Sequence, residues 1–404
     1  MENRPRIAVI SPFLDKQHGT ERCVAEQVER LAPDYDVHVY SNRVDDVDPS
    51  RMVWHRVPAL PGPHLFAYCW WFTANHLWRW WDRRFRGLRF DLTYTPGINC
   101  LDADVISVHI VFSELYRQVR DGLSLHLNPV SSWARLIHRR LYYQLIMELE
   151  RLIYSRKRIL LTAVSRKTAE SLTRYGRGET PVIYYGVSLE RFNPDNRQQL
   201  RDQSRSLLGL PESTLCLLLV GNGWKNKGLA ALLEALGSIQ SADLRLLVVG
   251  RDDPAPYRAA LRRHGIEQCV AFLPPRPDVE FYYSAADAYV SPALEDSFGL
   301  PPLEAMACGL PVIVSNRAGV SEVVTDGVDG LVLKDPNDVA SLAKLISELH
   351  KNPALRQTMG ENAARTARRY TWERNAEQLG HLFQEVLRRK GCSRAVVAAK
   401  QPVR

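Results

Sequence analysis

The sequence predicts an α/β protein made of two doubly wound, Rossmann-like parallel-sheet domains facing across a cleft. Three observations carry this. Short apolar strands alternate with helical segments through residues 7–164, a polar stretch from Asn193 to Ser213 breaks the alternation, and it restarts at Leu215 and runs to Val314. Continuous apolar strands separated by helices indicate parallel sheet covered on both faces.

Ile7–Ile10 reads as the first strand, Cys23–Leu31 has helical periodicity, and Tyr35–Tyr40 is the next strand. The pattern recurs irregularly, through a strand in Asp104–Val111 that His109 ends, up to the buried strand Arg158–Val164. The polar stretch contains a short helix and stops at Gly209-Leu-Pro211. Leu215–Val220, Leu244–Val249, Val270–Phe272, Ala288–Ser291 and Pro311–Val314 are the strands of the second run. Tyr370–Lys390 reads as a long amphipathic helix, with a frayed tail of a dozen residues after it. The expected division is residues 1–187 and 188–369, with the helix at 370–390 packing back on the first domain. Ligands of such sheets bind beyond the carboxyl ends of the strands.

The chain has 404 residues, long enough for two or three domains, and its 45% hydrophobic and 24% charged content suits ordinary globular cores. Its formal charge of +8 points to an anionic partner: nucleotide, phospholipid or nucleic acid. Seven scattered cysteines without C-x-x-C spacing argue for reduced thiols and against a disulfide or zinc framework. The start runs straight into a strand rather than a signal-peptide apolar region, and no apolar run is long enough to span a bilayer. The expectation is a cytoplasmic protein, or one on the inner face of the cytoplasmic membrane.

Ser291–Val314 is the most informative segment: a buried strand, a tight glycine-containing turn, a helix with two prolines in its first turn, and another buried strand. Prolines suit a helix start because the first amides lack intrahelical partners, and the dipole there favours phosphate. Asp296 in the turn and Glu304 in the helix are eight positions apart, so both carboxylates can reach one rim. Acids there do not bind phosphate; they accept hydrogen bonds from sugar hydroxyls. The bland alternatives are a helix-dipole role for Glu304 and a glycosidase carboxylate pair. The second would leave the phosphate-binding features without a purpose.

Val220–Gly228 follows the first strand of the second run and holds Lys227 among glycines that permit close backbone approach. It lacks both G-x-G-x-x-G and a P-loop ending in G-K-[ST], so hydride transfer and ATP hydrolysis lose support. The plain alternative for Lys227 is a solvated loop lysine. In the first domain Gly19 sits between strand and helix, where its backbone can approach a phosphate, or where it simply opens a helix turn. His109, at a strand end, is either a core histidine or a catalytic one.

Together these segments resemble the retaining nucleotide-sugar glycosyltransferases of family four, which have the GT-B fold; the G-x-G-x-K-x-K-G loop, Val248-Val-Gly-Arg251 and the acid-x7-Glu segment carry the likeness, along with Ala163-Val-Ser165 and Tyr185–Pro194. The Lys227 loop, Pro96-Gly-Ile98 and Asp104-Val105 look most like the lipopolysaccharide core glucosyltransferases. The resemblance implies transfer of a hexose from a nucleoside-diphosphate sugar, here a UDP-sugar, to a lipid-linked or cell-envelope glycan acceptor. It implies no cofactor beyond that co-substrate and no metal. By it, Lys227 binds the diphosphate, Glu304 the ribose and Asp296 the sugar. Gly19 approaches the phosphate or sugar, His109 faces the transferred sugar, and the loop of Arg276 meets the base. Asn222, Phe298, Gly299 and Leu300 complete the donor contacts. The chain departs from the family in having Asp296 for the usual Glu, Asn222 for an arginine, and His18-Gly19 for Gly-Gly. No nucleophile is named, since such enzymes are taken to attack from the leaving-group face. The runner-up is a same-fold epimerase or disaccharide synthase; nucleic-acid binding is expected neither as function nor as partner.

Leu65–Phe90 concentrates Trp and Arg, and Trp133–Arg158 is a second basic-aromatic stretch. Tryptophan prefers the bilayer interface and arginine anionic headgroups, so an anionic membrane surface is a candidate partner. The alternative is that the aromatic faces pack on the sheet while the arginines snorkel.

Overall fold

The computed structural model describes residues 4–120, 123 and 130–391. Within it the chain divides into two compact units, one reaching to Tyr184 and resuming at Trp372, the other Tyr185–Thr371.

The first unit holds β1 (Arg6–Ile10), β2 (Asp36–Ser41), β3 (Val53–Arg56), β4 (Leu92–Pro96), β5 (Val105–Val108) and β6 (Leu160–Ala163). Among the described residues they form one sheet in the order β3-β2-β1-β4-β5-β6, every pairing parallel. Its helices are α1 (Gly19–Leu31), α2 (His64–Phe85), α3 (Phe112–Val119), α4 (Trp133–Tyr154) and α5 (Arg166–Leu172). Successive strand residues point to opposite faces. Accordingly Ile7 and Val9 pack with Val24 and Val28 of α1, whereas Ala8 and Ile10 join the cluster of Trp71 from α2 and Ile146 and Ile153 from α4. The strand β3 escapes the sequence pattern because it is a sheet edge, with Val53 and Trp54 facing out.

In the second unit β7 (Leu215–Val220), β8 (Leu244–Val249), β9 (Val270–Leu273), β10 (Ala288–Ser291), β11 (Val312–Ser315) and β12 (Leu331–Leu333) repeat the topology as β9-β8-β7-β10-β11-β12. The helices are α6 (Pro194–Leu207), α7 (Leu229–Ile239), α8 (Arg258–His264), α9 (Glu280–Ala285), α10 (Leu300–Ala307), α11 (Val339–Lys351) and α12 (Pro353–Ala367). The polar stretch that breaks the alternation is α6. Asn193 caps it by accepting from the Asn196 amide at 2.8 Å, and Pro194 opens it. Its arginines are used structurally: Arg201 and Arg205 reach Asp287 at 2.6 and 3.1 Å.

The last helix, α13 (Trp372–Arg389), belongs to the first unit. Leu379 and Phe383 enter the cluster under α1, and the Phe383 ring meets Tyr35 edge-on at 5.8 Å. Its buried Asn375 donates to the Tyr184 carbonyl at 2.7 Å and accepts from Gln27 at 2.9 Å. The expected frayed tail and Cys392 lie outside the described residues. The other six cysteines are free thiols. No helix among the described residues is long and apolar enough to cross a membrane.

Candidate donor site

Sheet order explains why two segments far apart in sequence meet in the second unit. The chain leaves β7 toward one side of the sheet and later re-enters at β10 on the other, so β7 and β10 are neighbours. The loops at their carboxyl ends flank this reversal, the place where such sheets bind ligands. One loop is Gly221–Gly228 and the other is Pro292–Gly299.

The two loops are laced together. The Leu294 amide donates to the Asn226 carbonyl at 2.7 Å, and the Asn226 side chain donates to the Glu295 carbonyl at 2.5 Å. Gly228 has φ +77°, and a Cβ there would sit 2.0 Å from the Pro292 carbonyl oxygen, so only glycine fits. This close approach brings the Lys227 ammonium onto the Asp296 carboxylate as an ion pair, with both side chains largely covered.

Gly299, at φ +95°, turns the chain into α10. Its Cα lies close under Asp296: a Cβ there would come within 3.2 Å of the Asp296 carboxylate. Pro301 and Pro302 have no N–H, so the amides offered before Leu303 are those of Gly299 and Leu300. Phe298 is buried against Tyr185, ring centroids 5.2 Å apart, and its carbonyl accepts from the Val320 amide at 2.7 Å. Glu304, 3% exposed, accepts a 2.7 Å hydrogen bond from the Tyr283 hydroxyl. Burial and then the Glu304 charge hold the Tyr283 phenol well above its usual range, so it stays a donor.

Asn222 and Arg276 are more loosely tied to this group. The Asn222 side chain accepts from the Arg251 amide at 2.9 Å and so braces the loop after β8. The Arg276 guanidinium forks onto Asp278 at 2.9 and 2.7 Å and lies 4.2 Å over the Phe281 ring. In the first unit, Gly19 is the first residue of α1, preceded by an Asp15 carboxylate that accepts from the Gln17 and His18 amides at 2.8 and 2.9 Å. His109 follows β5, 3% exposed, and burial pulls its imidazole down to about 3, so it is neutral at ordinary pH. Among the described residues no group of His, Cys, Asp and Glu is placed to hold a metal ion.

The model for Glycosyltransferase Family 4 matches residues 18–191, and that for Glycosyl transferases group 1 matches residues 201–366. Each half of the chain thus matches a glycosyltransferase family model. The chain is 31% identical over 220 residues to a D-inositol 3-phosphate glycosyltransferase of Corynebacterium kroppenstedtii, covering 52% of this chain and 48% of the relative. A Streptomyces bingchenggensis protein of the same name is 31% identical over 246 residues, 56% of this chain and 53% of the relative. The chain thus spans about half the length of the curated relatives it matches. Its GT-B fold is shared with WaaG, a glycosyltransferase involved in lipopolysaccharide biosynthesis, at TM-score 0.74 and 20% identity over 93% of this chain and 99% of that one. Sucrose-phosphate synthase of Thermosynechococcus elongatus aligns at TM-score 0.75 and 23% identity over 96% and 100%. HepE of Anabaena, solved with UDP and glucose, aligns at 0.69 and 18% over 95% and 100%.

Lys227, Asp296, Phe298, Gly299, Leu300 and Glu304 come together in the second unit, while Gly19 and His109 are on the first. Two participants escape a reading of the sequence. Tyr283, on α9, reaches Glu304 from a helix with no motif of its own. Trp224 sits in a glycine-rich loop, where a tryptophan reads as exposed, yet it is 2% exposed and plugs the loop against Phe272, ring centroids 5.1 Å apart.

Proposed function

We propose that the chain is a retaining glycosyltransferase that moves a hexose from a nucleoside-diphosphate sugar, UDP-sugar first among them, to a lipid-linked or cell-envelope glycan acceptor. The observation that carries this is the assembly of Lys227, Asp296 and Glu304 beyond the adjacent strands β7 and β10.

In this reading the diphosphate takes Lys227 from Asp296 and rests on the Gly299 and Leu300 amides at the start of α10. Asp296, released, accepts from hydroxyls of the sugar, and Glu304, oriented by Tyr283, accepts from the ribose. As the glycosidic bond breaks, negative charge grows on the diphosphate, and the lysine and helix start stabilise it without a metal ion. The diphosphate itself takes the acceptor proton, with attack on the same face, so configuration is retained and no protein nucleophile is needed. Gly19 and His109 of the first unit are proposed to contribute to phosphate and sugar binding, His109 as a neutral hydrogen-bonding group. The proposed place of work is the cytoplasm or the inner face of the cytoplasmic membrane. HepE, solved with UDP, supports UDP as the first nucleotide to try.

The test is release of nucleoside diphosphate from UDP-, GDP- and ADP-hexoses, with and without acceptor. The acceptors are a lipid-linked glycan precursor and D-inositol 3-phosphate, the compound in the relatives' name. Release that requires acceptor supports transfer; release or isomerisation without one points to a hydrolase or an epimerase and overturns it.

A further inference from the structure

The helix α2 is built inside out. Of the five residues in its buried stripe, Trp71, Ala74, Asn75, Arg79 and Asp82, three are polar, and each of these three makes hydrogen bonds. Asn75 donates to the Asn99 carbonyl at 3.0 Å, Arg79 forks onto Asp102 at 2.6 and 2.8 Å, and Asp82 accepts from the Tyr40 hydroxyl at 2.7 Å. The outward stripe is apolar: Phe66, Trp70, Leu77, Trp80 and Trp81, successively four, seven, three and one positions apart, fall on one side of the helix and are 37–59% exposed. A surface helix of a globular protein normally has the opposite polarity. Of the clustered tryptophans, Trp71 alone packs on the sheet as the plain reading of this stretch expects. An exposed apolar patch of this kind marks an interaction surface.

Charge identifies the partner. The one acid of α2, Asp82, is buried, whereas Arg83, Arg84 and Arg86 at its end are exposed. The patch continues onto α4, which lies alongside: the Phe66 ring is 5.7 Å from His138 and the Tyr68 ring 5.9 Å from Tyr142. The outward face of α4 beside them carries Ile137 and Leu141 among the exposed Arg135 and Arg139. Tryptophan belongs at the headgroup level of a bilayer and arginine beside anionic lipid. A two-fold dimer through this face would bring two sets of arginines together without an acid on α2 to meet them.

We propose that the outward face of α2, with the adjoining face of α4, docks on an anionic lipid bilayer, lying in the interfacial plane. The proposal stands on the polarity of α2 and is independent of the donor reading. The experiment is flotation of the full chain with vesicles of phosphatidylglycerol mixed with phosphatidylcholine, and with phosphatidylcholine alone. At low salt the chain floats with the anionic vesicles, and raising salt releases it. R83Q/R84Q weakens binding roughly thirtyfold, about fivefold for each basic residue near an anionic surface. W80S/W81S weakens it as well, with the melting temperature of both variants held. No flotation at low salt, or equal flotation by the variants, overturns the proposal, as does a dimer that W80S/W81S dissociates without loss of vesicle binding. UDP titration of the same samples reports the donor site separately: a chain that binds UDP and ignores vesicles fails this proposal and leaves the other standing.

Discussion

Lys227 has Asp296 as its partner within the second unit, and the proposed reaction asks it to exchange that carboxylate for a diphosphate. Both side chains are largely covered, so removing the lysine alone strands the Asp296 carboxylate and should cost more than the roughly 0.2–1 kcal/mol of an exposed pair. K227A should therefore lower the urea midpoint as well as abolish donor binding and turnover. E304A removes the 2.7 Å acceptor of the buried Tyr283 hydroxyl, leaving the longer 3.3 Å contact to the Pro301 carbonyl, and should cost about 1–3 kcal/mol in urea denaturation. E304Q keeps an acceptor for Tyr283, so it should fold normally and still lose most turnover; full activity in E304Q would remove Glu304 from the ribose. His109 makes a third prediction. Burial drops its imidazole from the usual 6.5 to about 3, and burial lowers His38 and His55 too. The folded state refuses protons that the unfolded chain accepts below about 6.5, so stability is complete above that value and falls toward pH 3. Each such histidine steepens the fall by at most about 1.4 kcal/mol per pH unit. Urea midpoints at pH 7 and pH 5 should show lower stability at the acid end, with a shallower slope in H109Q.

Segments whose chemistry lies within one stretch of chain were readable from sequence. The turn of Asp296 and the helix of Glu304 are contiguous, and proline, glycine and acid each have a local reason to be there. The contact of Lys227 with Asp296 is not local: it requires β7 and β10 to be neighbours, which follows from sheet order. The strand β3 left no apolar signature because it is an exposed edge. The α2 helix showed its tryptophans and arginines in sequence but not which of them face outward, since a stripe of Asn, Arg and Asp reads as solvated until its buried partners are known. Gly228 is the element-level test. G228A forces a side chain toward the Pro292 carbonyl in a left-handed backbone, so it should destabilise the second unit by more than about 1 kcal/mol. Donor affinity should fall with it, because the same contact sets Lys227 beside Asp296. An alanine variant with unchanged melting and affinity would mean the loops are not locked together.

The same strand order appears in both units, and glycosyltransferase models match each of them, Family 4 over residues 18–191 and group 1 over 201–366. The switch point of the second sheet holds the lysine and acids, while the first unit carries the inside-out helix. The proposed grip on the diphosphate and the proposed membrane attachment thus rest on different units, and each can fail without the other. The most direct test of the donor reading is a crystal structure with a UDP-sugar bound. The predicted density has the diphosphate on Lys227 and the Gly299–Leu300 amides, the ribose on Glu304, and Asp296 turned from the lysine to the sugar. Density that leaves the Lys227–Asp296 pair intact and places the nucleotide away from α10 would contradict it.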